Sequence, residues 1–169
     1  MQTRRSAHRG FFLIEALVAI AIFSLGILGM VSIAGISINA QSDARYRTDA
    51  ASLADDLASR IVLNVNRVDL VSFQNSLHQY ELNPTGADCV FGPQPFPVAN
   101  ADAIAWLANV TSTGPGLPGL PGASATTQQV VVDTTAAGFN RVQITVCWRG
   151  PSDAAMRHHT LVTYVNGLL

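Results

Sequence analysis

The feature that most constrains this chain is a long apolar run without a charged side chain. No Asp, Glu, Lys or Arg occurs between Ala16 and Ser42. As a helix with a rise of about 1.5 Å per residue, these roughly 27 residues extend about 40 Å, enough to cross a hydrocarbon core of about 30 Å. Arg4, Arg5 and Arg9 precede the run, and the positive-inside rule predicts that this flank stays in the cytoplasm. The remainder of the chain is then expected on the outer side of the membrane.

A cleavable secretory signal also begins with basic residues and an apolar stretch. Two features argue against a signal here. The apolar run is about twice as long as the apolar core of a signal peptide, and no small-x-small cleavage site with a polar segment behind it follows the run. Glu15 stands at the start of the run, and an ionised carboxylate within a membrane helix costs about 2.5–3.5 kcal/mol. An acid retained at that cost is typical of a functional position.

The junction Gly10-Phe11-Phe12-Leu13-Ile14-Glu15 resembles the prepilin peptidase site of the type IV pilin and pseudopilin family, in which the chain is cut after the glycine. The resemblance combines a basic leader, the glycine, a phenylalanine, a glutamate one turn further on and a charge-free helix. Phe12 departs from the threonine of many family members, which leaves the cleavage residues intact. The resemblance implies cleavage after Gly10 by a prepilin peptidase and N-methylation of Phe11.

Glu15 is the candidate assembly contact. In the family, the corresponding glutamate pairs with the N-terminal amine of a neighbouring subunit in the filament. Such a pair neutralises both charges in an apolar environment, where an unpartnered carboxylate would be costly or would bind a proton. Gly26, Gly29 and Gly35 recur within the apolar run. They either let membrane helices approach closely or reflect the general frequency of glycine in membrane helices.

Beyond Ala40 the pattern stays helical but becomes amphipathic. Apolar residues recur at spacings of three and four, which is typical of a helix with one buried face: Tyr46, Ala50, Leu53, Leu57, Ile61, Val65 and Val68. The i,i+4 pairs Arg45–Asp49 and Asp56–Arg60 lie largely on other faces and favour the helix further. The sequence therefore predicts one helix from residue 11 to about residue 67.

The rest of the chain predicts a small sheet with helical insertions. A helical turn is expected around 73–80, and Asn100 is a suitable cap for a helix over 101–110. The buried side of that helix is expected to consist of Ile104, Trp106, Leu107 and Val110. Residues 114–122 predict an extended loop rich in glycine and proline. Segments 128–133, 141–148 and 159–165 are rich in valine and threonine, and their short connections favour an antiparallel meander.

Pattern and resemblance together predict an α+β, type IV pilin-like fold. It consists of a long N-terminal α-helix, with a membrane-spanning half and an amphipathic half, packed on a small antiparallel β-sheet. The predicted boundaries are a basic leader peptide at 1–10, a transmembrane and assembly helix at 11–40, and a periplasmic pilin-like head at 41–169. The expected location is the inner membrane, as a single-pass protein with a periplasmic head, and the pilus after assembly.

Two cysteines, Cys89 and Cys147, lie far apart in the sequence. In a domain exported to an oxidising periplasm they are expected to form a disulfide that closes a loop of about 59 residues and stabilises the fold by about 2–4 kcal/mol. If strand 141–148 is regular, Cys147 faces away from Val146 and Trp148, and the disulfide joins the middle loop to the sheet. The alternative is two free, buried thiols.

No arrangement of residues predicts catalysis, a metal site or a cofactor. His158 and His159 are adjacent, so in a strand they point to opposite faces, and Asp55 and Asp56 are neighbours on an exposed helix. The formal net charge is −1, there is no lysine, and loss of the three leader arginines would bring the charge to −4. The remaining seven arginines are scattered, so no nucleic acid is evident as a partner. Because no catalytic arrangement is present in the sequence, no small-molecule substrate is expected either.

Within the pilin family, four segments resemble minor pilins of the PilV type, the type IV pilus modification proteins. They are residues 15–20, 25–29, 51–61 and 142–148. The resemblance implies a low-abundance subunit that helps to prime pilus assembly and supports adhesion or twitching motility. Its expected partners are the prepilin peptidase, other minor pilins, the major pilin and the inner membrane. Two alternatives remain: a minor pseudopilin of a type II secretion system, and a membrane-anchored binding module that does not enter a filament.

Overall fold

The computed structural model describes residues 9–92, 100–112, 116 and 119–167, with the side chains of residues 9–11 left out. Positions 1–8 of the predicted leader lie outside the described residues, as does most of the predicted loop at 114–122. The chain divides into two compact units, Met1–Gln41 and Ser42–Leu169. They are called the N-terminal unit and the head unit below.

The first helix, α1, runs from Arg9 to Asn64, close to the predicted span of 11 to about 67. It stops three residues early because Arg67 folds back on the last turn. The Arg67 guanidinium donates from Nη2 to the carbonyl oxygen of Val62, at 2.6 Å. This bond satisfies a carbonyl that has no partner within the helix. Val68 lies beyond the helix and is 81% exposed, so its assignment to the apolar stripe was wrong.

The remaining stripe of α1 lies in the core of the head unit. Ala50, Leu57, Ile61 and Val65 are buried as predicted, while Tyr46 and Leu53 are partly buried against the core. Ala54 and Ala58 complete the stripe. Small alanines at these positions bring the helix backbone close to the elements packed against it, and the full burial of Leu57 and Ile61 is worth about 1.5–3 kcal/mol each.

Both predicted i,i+4 pairs form on α1. Nε of Arg60 lies 3.0 Å from Oδ2 of Asp56, and Nε of Arg45 lies 3.6 Å from Oδ2 of Asp49. The side chain of Arg45 is strongly exposed, so its pair contributes at most a few tenths of a kcal/mol.

Two short helices follow. Helix α2, Leu70–His78, is longer than the predicted turn at 73–80 and begins where Asp69 accepts a hydrogen bond from the amide of Ser72, at 2.8 Å. Helix α3, Ala101–Thr111, confirms the predicted cap, because Asn100 accepts from the amides of residues 102 and 103.

The buried side of α3 differs from the prediction at one position. Trp106 and Val110 are buried, and Leu107 is partly buried. Ile104, however, is 52% exposed, and Ala103 takes its place in the core. The Trp106 indole fixes this rotation of the helix, because its Nε1 donates to the carbonyl oxygen of Leu53 on α1, at 2.8 Å.

The strands form two antiparallel sheets. A two-residue pair, β1 (Gly86–Ala87) and β2 (Val90–Phe91), makes a small hairpin that the sequence did not predict. The main sheet contains β3 (Gln129–Asp133), β4 (Arg141–Trp148) and β5 (Arg157–Tyr164) in the order β3-β4-β5. The predicted antiparallel meander is therefore confirmed, with β5 beginning two residues earlier than expected.

One face of the main sheet packs on the head-unit part of α1. Thr145 and Cys147, on the other face of β4, are buried as well, and the alternate residues that face the core are fully buried. They are Val142, Ile144, Val146 and Trp148. These residues share one cluster with Leu57, Ile61 and Trp106. The fold is thus α+β, with a long N-terminal helix packed on small antiparallel sheets.

Candidate processing and assembly site

The apolar part of α1 in the N-terminal unit has no cover within the described residues. Every large apolar side chain from Phe12 to Ile38 is between 45% and 74% exposed. A soluble monomer rarely exposes an apolar surface of more than a few hundred Å². Over the described part of the chain, α1 is the one helix long and apolar enough to cross a membrane, and its most apolar stretch is entirely unburied. An uncovered apolar surface of this length is compatible with a surrounding bilayer.

Gly10 and Phe11, the predicted cleavage and methylation residues, lie in the first turns of α1. The structure describes their backbone but not their side chains, and the preceding residues 1–8 lie outside the described part. Processing at this junction stays a prediction from the sequence.

Glu15 lies one turn after Phe11 on the uncovered apolar surface, and its side chain is exposed. No cation or hydrogen-bond donor contacts its carboxylate within residues 9–92, 100–112, 116 and 119–167. In an apolar phase, such a carboxylate is stable only with a positive partner or a bound proton. The geometry leaves room for a partner from another molecule.

The glycines of the apolar segment lie bare on its surface. A Cβ added at Gly26, Gly29 or Gly35 meets no other atom within 4 Å. The surface at these positions is therefore open to close approach by another helix.

The predicted disulfide is present in the head unit. Cys89 and Cys147 are joined with an S–S distance of 2.04 Å and a Cα–Cα distance of 5.9 Å. Cys89 lies in the turn of the β1–β2 hairpin, and Cys147 lies on β4. The bond therefore connects the middle of the chain to the main sheet, as expected.

Gln128 supports this connection, a role that was not predicted from the sequence. The buried Gln128 side chain accepts from the Cys147 amide at 2.9 Å and donates to the Cys147 carbonyl oxygen at 3.1 Å. The amide group thus forms the two bonds that a neighbouring strand would form. A lone glutamine in a polar stretch carries no sequence signal for such a role.

An ion-pair network fixes the start of β5 to the head-unit part of α1. The Arg157 guanidinium contacts Asp153 at 2.8 Å and Asp43 at 3.2 Å. Its hydrogen bond holds the pKa of the Asp153 carboxyl below the ordinary range, and the same bond raises the pKa of Arg157. Sequence reasoning missed this network because Asp43 and Arg157 stand at opposite ends of the head unit.

The three histidines in the described part of the chain, His78, His158 and His159, do not form one site. His78 lies 3.1 Å from the carboxylate of Glu81, and its Nε2 is 3.1 Å from the hydroxyl of Thr134. His158 and His159 alternate on β5, the first exposed and the second half-buried. Among the described residues, no group of three or more His, Cys, Asp or Glu side chains is arranged to hold a metal ion.

Comparisons of this chain with protein-family models, with curated proteins and with solved structures found no match.

Proposed function

We propose that this chain is a minor pilin, a low-abundance subunit of a type IV pilus. Before assembly it resides in the inner membrane. It helps to prime pilus assembly and has roles in adhesion or twitching motility. The observation that carries the proposal is the uncovered apolar surface of residues 12–38, which begins beside Glu15 and the Gly10–Phe11 junction. The head unit, in contrast, has a complete core of its own.

The physical argument concerns what covers that surface. Before assembly, lipid surrounds it, and the basic residues of the leader hold the N-terminus on the cytoplasmic side. In a filament, the helices of neighbouring subunits replace the lipid. Cleavage after Gly10 creates a positive amine on Phe11, one turn from Glu15, and a neighbouring subunit can then pair its own amine with this carboxylate.

Both alternatives predict the same anchor. A minor pseudopilin of a type II secretion system would share the processing junction and the apolar helix, and a membrane-anchored binding module would keep its leader. The first experiment therefore tests processing, because processing separates the pilin-like proteins from a simple anchored module.

The test is the intact mass of the protein extracted from membranes of cells with and without prepilin peptidase. We expect a chain that begins at N-methylated Phe11 only when the peptidase is present, and a gain of two hydrogens on reduction of the Cys89–Cys147 disulfide. A Gly10→Val variant is expected to keep the full leader, while Gly29→Val, a matched glycine change within α1, is expected to be processed normally. An unprocessed chain in both strains would contradict the proposal.

A further inference from the structure

The two edges of the main sheet are covered differently. At one edge, Val130 of β3 exchanges two backbone hydrogen bonds with Leu82, at 2.9 and 3.0 Å. At the other edge, β5 has β4 on one side and no strand on the other within the described residues. β5 is eight residues long, and all eight pair with β4 in continuous register.

The register identifies the backbone groups that point away from β4. Val165 donates its amide to the carbonyl oxygen of Asn140, at 3.1 Å, and hydrogen-bonded pairs alternate along an antiparallel ladder. The odd-numbered residues of β5 therefore bond to β4. The backbone N–H and C=O groups of the even-numbered residues point outward: His158, Thr160, Val162 and Tyr164.

Among the described residues, this edge carries few of the features that normally prevent strand addition, and the one permanently charged side chain of β5 is Arg157 at its start. β5 contains no proline, no lysine and no bulge, and over the described part of the chain its outward backbone groups have no partner. Natural proteins usually protect such edges, because an unpaired row of N–H and C=O groups is a template for another extended backbone. An extended peptide is the ligand chemistry that such a row complements.

A groove lies beside the open edge, between β5 and α1. It has a volume of about 430 Å³, and its lining includes Leu161 and Thr163 from β5 and Val62 and Leu63 from α1. Both α1 residues are exposed apolar side chains, Val62 at 40% and Leu63 at 78%. Asp55 supplies the one charged side chain of the lining, and no cation contacts it among the described residues.

The two walls of the groove run in the same direction. Near their starts, Arg157 and Asp43 are 3.2 Å apart. Near their ends, Arg67 donates from Nε to the carbonyl oxygen of Asn166, at 3.4 Å. Asp55 therefore lies toward the beginning of the groove, and Val62 and Leu63 lie toward its end.

We propose that an extended segment of a partner protein binds beside β5 as a fourth strand of the main sheet. The segment places an apolar side chain on Val62 and Leu63 and a basic side chain beside Asp55. Its backbone pairs with the outward groups of the even-numbered residues of β5. This binding site belongs to the head unit alone and does not depend on entry into a filament.

The test uses the full chain in detergent micelles and a synthetic ten-residue peptide that alternates threonine with valine and carries arginine at one valine position. Binding is measured by titration calorimetry. Two matched peptides carry N-methyl groups, one on its threonines and the other on its valines. Since only one edge of a bound strand faces β5, we expect one methylated peptide to lose binding and the other to keep it.

Variants of the protein test the same contacts from the other side. Val162→Pro removes one outward N–H and leaves the bonds to β4, whereas Val162→Ala keeps that N–H. We expect about tenfold weaker binding for the proline variant than for the alanine variant. Asp55→Asn is expected to weaken binding of the arginine peptide but not of an all-valine peptide.

Three results would overturn the proposal: no saturable binding by the wild-type chain, the same behaviour of both methylated peptides, or a wild-type affinity in Val162→Pro. A fourth concerns a different occupant. If the wild-type chain self-associates and Val162→Pro alone abolishes this association, a second copy of the chain occupies the edge, and the assignment to a partner protein is wrong. The methylated peptides keep the test valid even if a variant does not fold.

Discussion

The two units of this chain differ in how far they bury a phenylalanine side chain, as Phe23 and Phe73 show. Phe23, in the N-terminal unit, is 68% exposed, and Phe73, in the head unit, is fully buried. In the head unit, the chain itself supplies the cover, from α1, the short helices and the sheet. In the N-terminal unit, the described residues supply no such cover. The head unit is therefore stabilised by contacts within the chain, whereas the apolar segment makes no such contacts with the described residues.

Among changes that test this difference between the units, the largest effect on the free energy of unfolding is expected at Trp106. Trp106→Ala removes a fully buried ring and its hydrogen bond to Leu53, and we expect a loss of about 3–5 kcal/mol in the free energy of unfolding. Phe23→Ala removes an aromatic ring of the apolar segment and is expected to leave this free energy unchanged. Denaturant titration of the full chain in detergent measures the difference, followed by the fluorescence of Trp148 in Trp106→Ala and of both tryptophans in Phe23→Ala. Equal losses would break the distinction between the units.

The disulfide ranks next. Replacement of both Cys89 and Cys147 by alanine opens a cross-link between residues 58 positions apart. We expect the head unit to lose about 2–4 kcal/mol, while the helical signal of the apolar segment in micelles stays the same. Calorimetric melting of the wild-type chain with and without a reducing agent gives an independent measure. An unchanged melting temperature in both experiments would show that the disulfide does not stabilise the head unit.

A smaller loss is expected at Gln128. Gln128→Ala leaves the buried amide and carbonyl groups of Cys147 without side-chain partners, which costs about 1–3 kcal/mol. Gln143→Ala is the matched control, because Gln143 lies on β4, the strand of Cys147, and is only half-buried. Its change is expected to stay within about 0.5 kcal/mol. If the two variants unfold at the same denaturant concentration, the pairing of Gln128 with β4 contributes nothing.

The smallest effect is a dependence on acid that belongs to the head unit. Since Arg157 lowers the folded-state pKa of Asp153, the carboxylate contributes stability above its ordinary pKa of about 3.9. That contribution is lost as the pH falls from there through the lowered pKa. Asp153→Asn is expected to flatten the stability profile in this acid range relative to the wild-type chain. Parallel profiles for wild type and Asp153→Asn would contradict the assignment.

The sequence predicted those parts of the fold whose causes are local. Asn100 predicted the start of α3, because an Asn side chain accepts hydrogen bonds from the first amides of a helix. The alternation of valine and isoleucine predicted β4 with its observed bounds. The long helix followed from its apolar period. Its end did not, because the terminating contact comes from the Arg67 side chain folding back on Val62.

The sequence could not predict features that depend on distant contacts. The β1–β2 hairpin turns at Asp88 and Cys89, both with positive φ. Hairpin turns of this kind usually contain glycine, because glycine adopts a positive φ without a steric penalty. Here the position is occupied by Cys89, which is bonded to Cys147. The groove beside β5 likewise depends on α1 and β5 meeting across the head unit. For the candidate site, the sequence motif predicted all three residues, Gly10, Phe11 and Glu15. The structure adds that the Glu15 side chain is exposed.

The most direct test of the account is recovery of the protein in filaments sheared from cells. Wild-type chain, Glu15→Gln and the matched control Glu81→Gln are expressed at equal levels, and the mature protein is quantified in filament and membrane fractions. The account predicts wild type and Glu81→Gln in the filaments, and Glu15→Gln processed at Phe11 but reduced there by more than about tenfold, because it cannot pair with a neighbouring amine. Processed wild-type chain that never enters filaments, or Glu15→Gln recovered at the wild-type level, would contradict it.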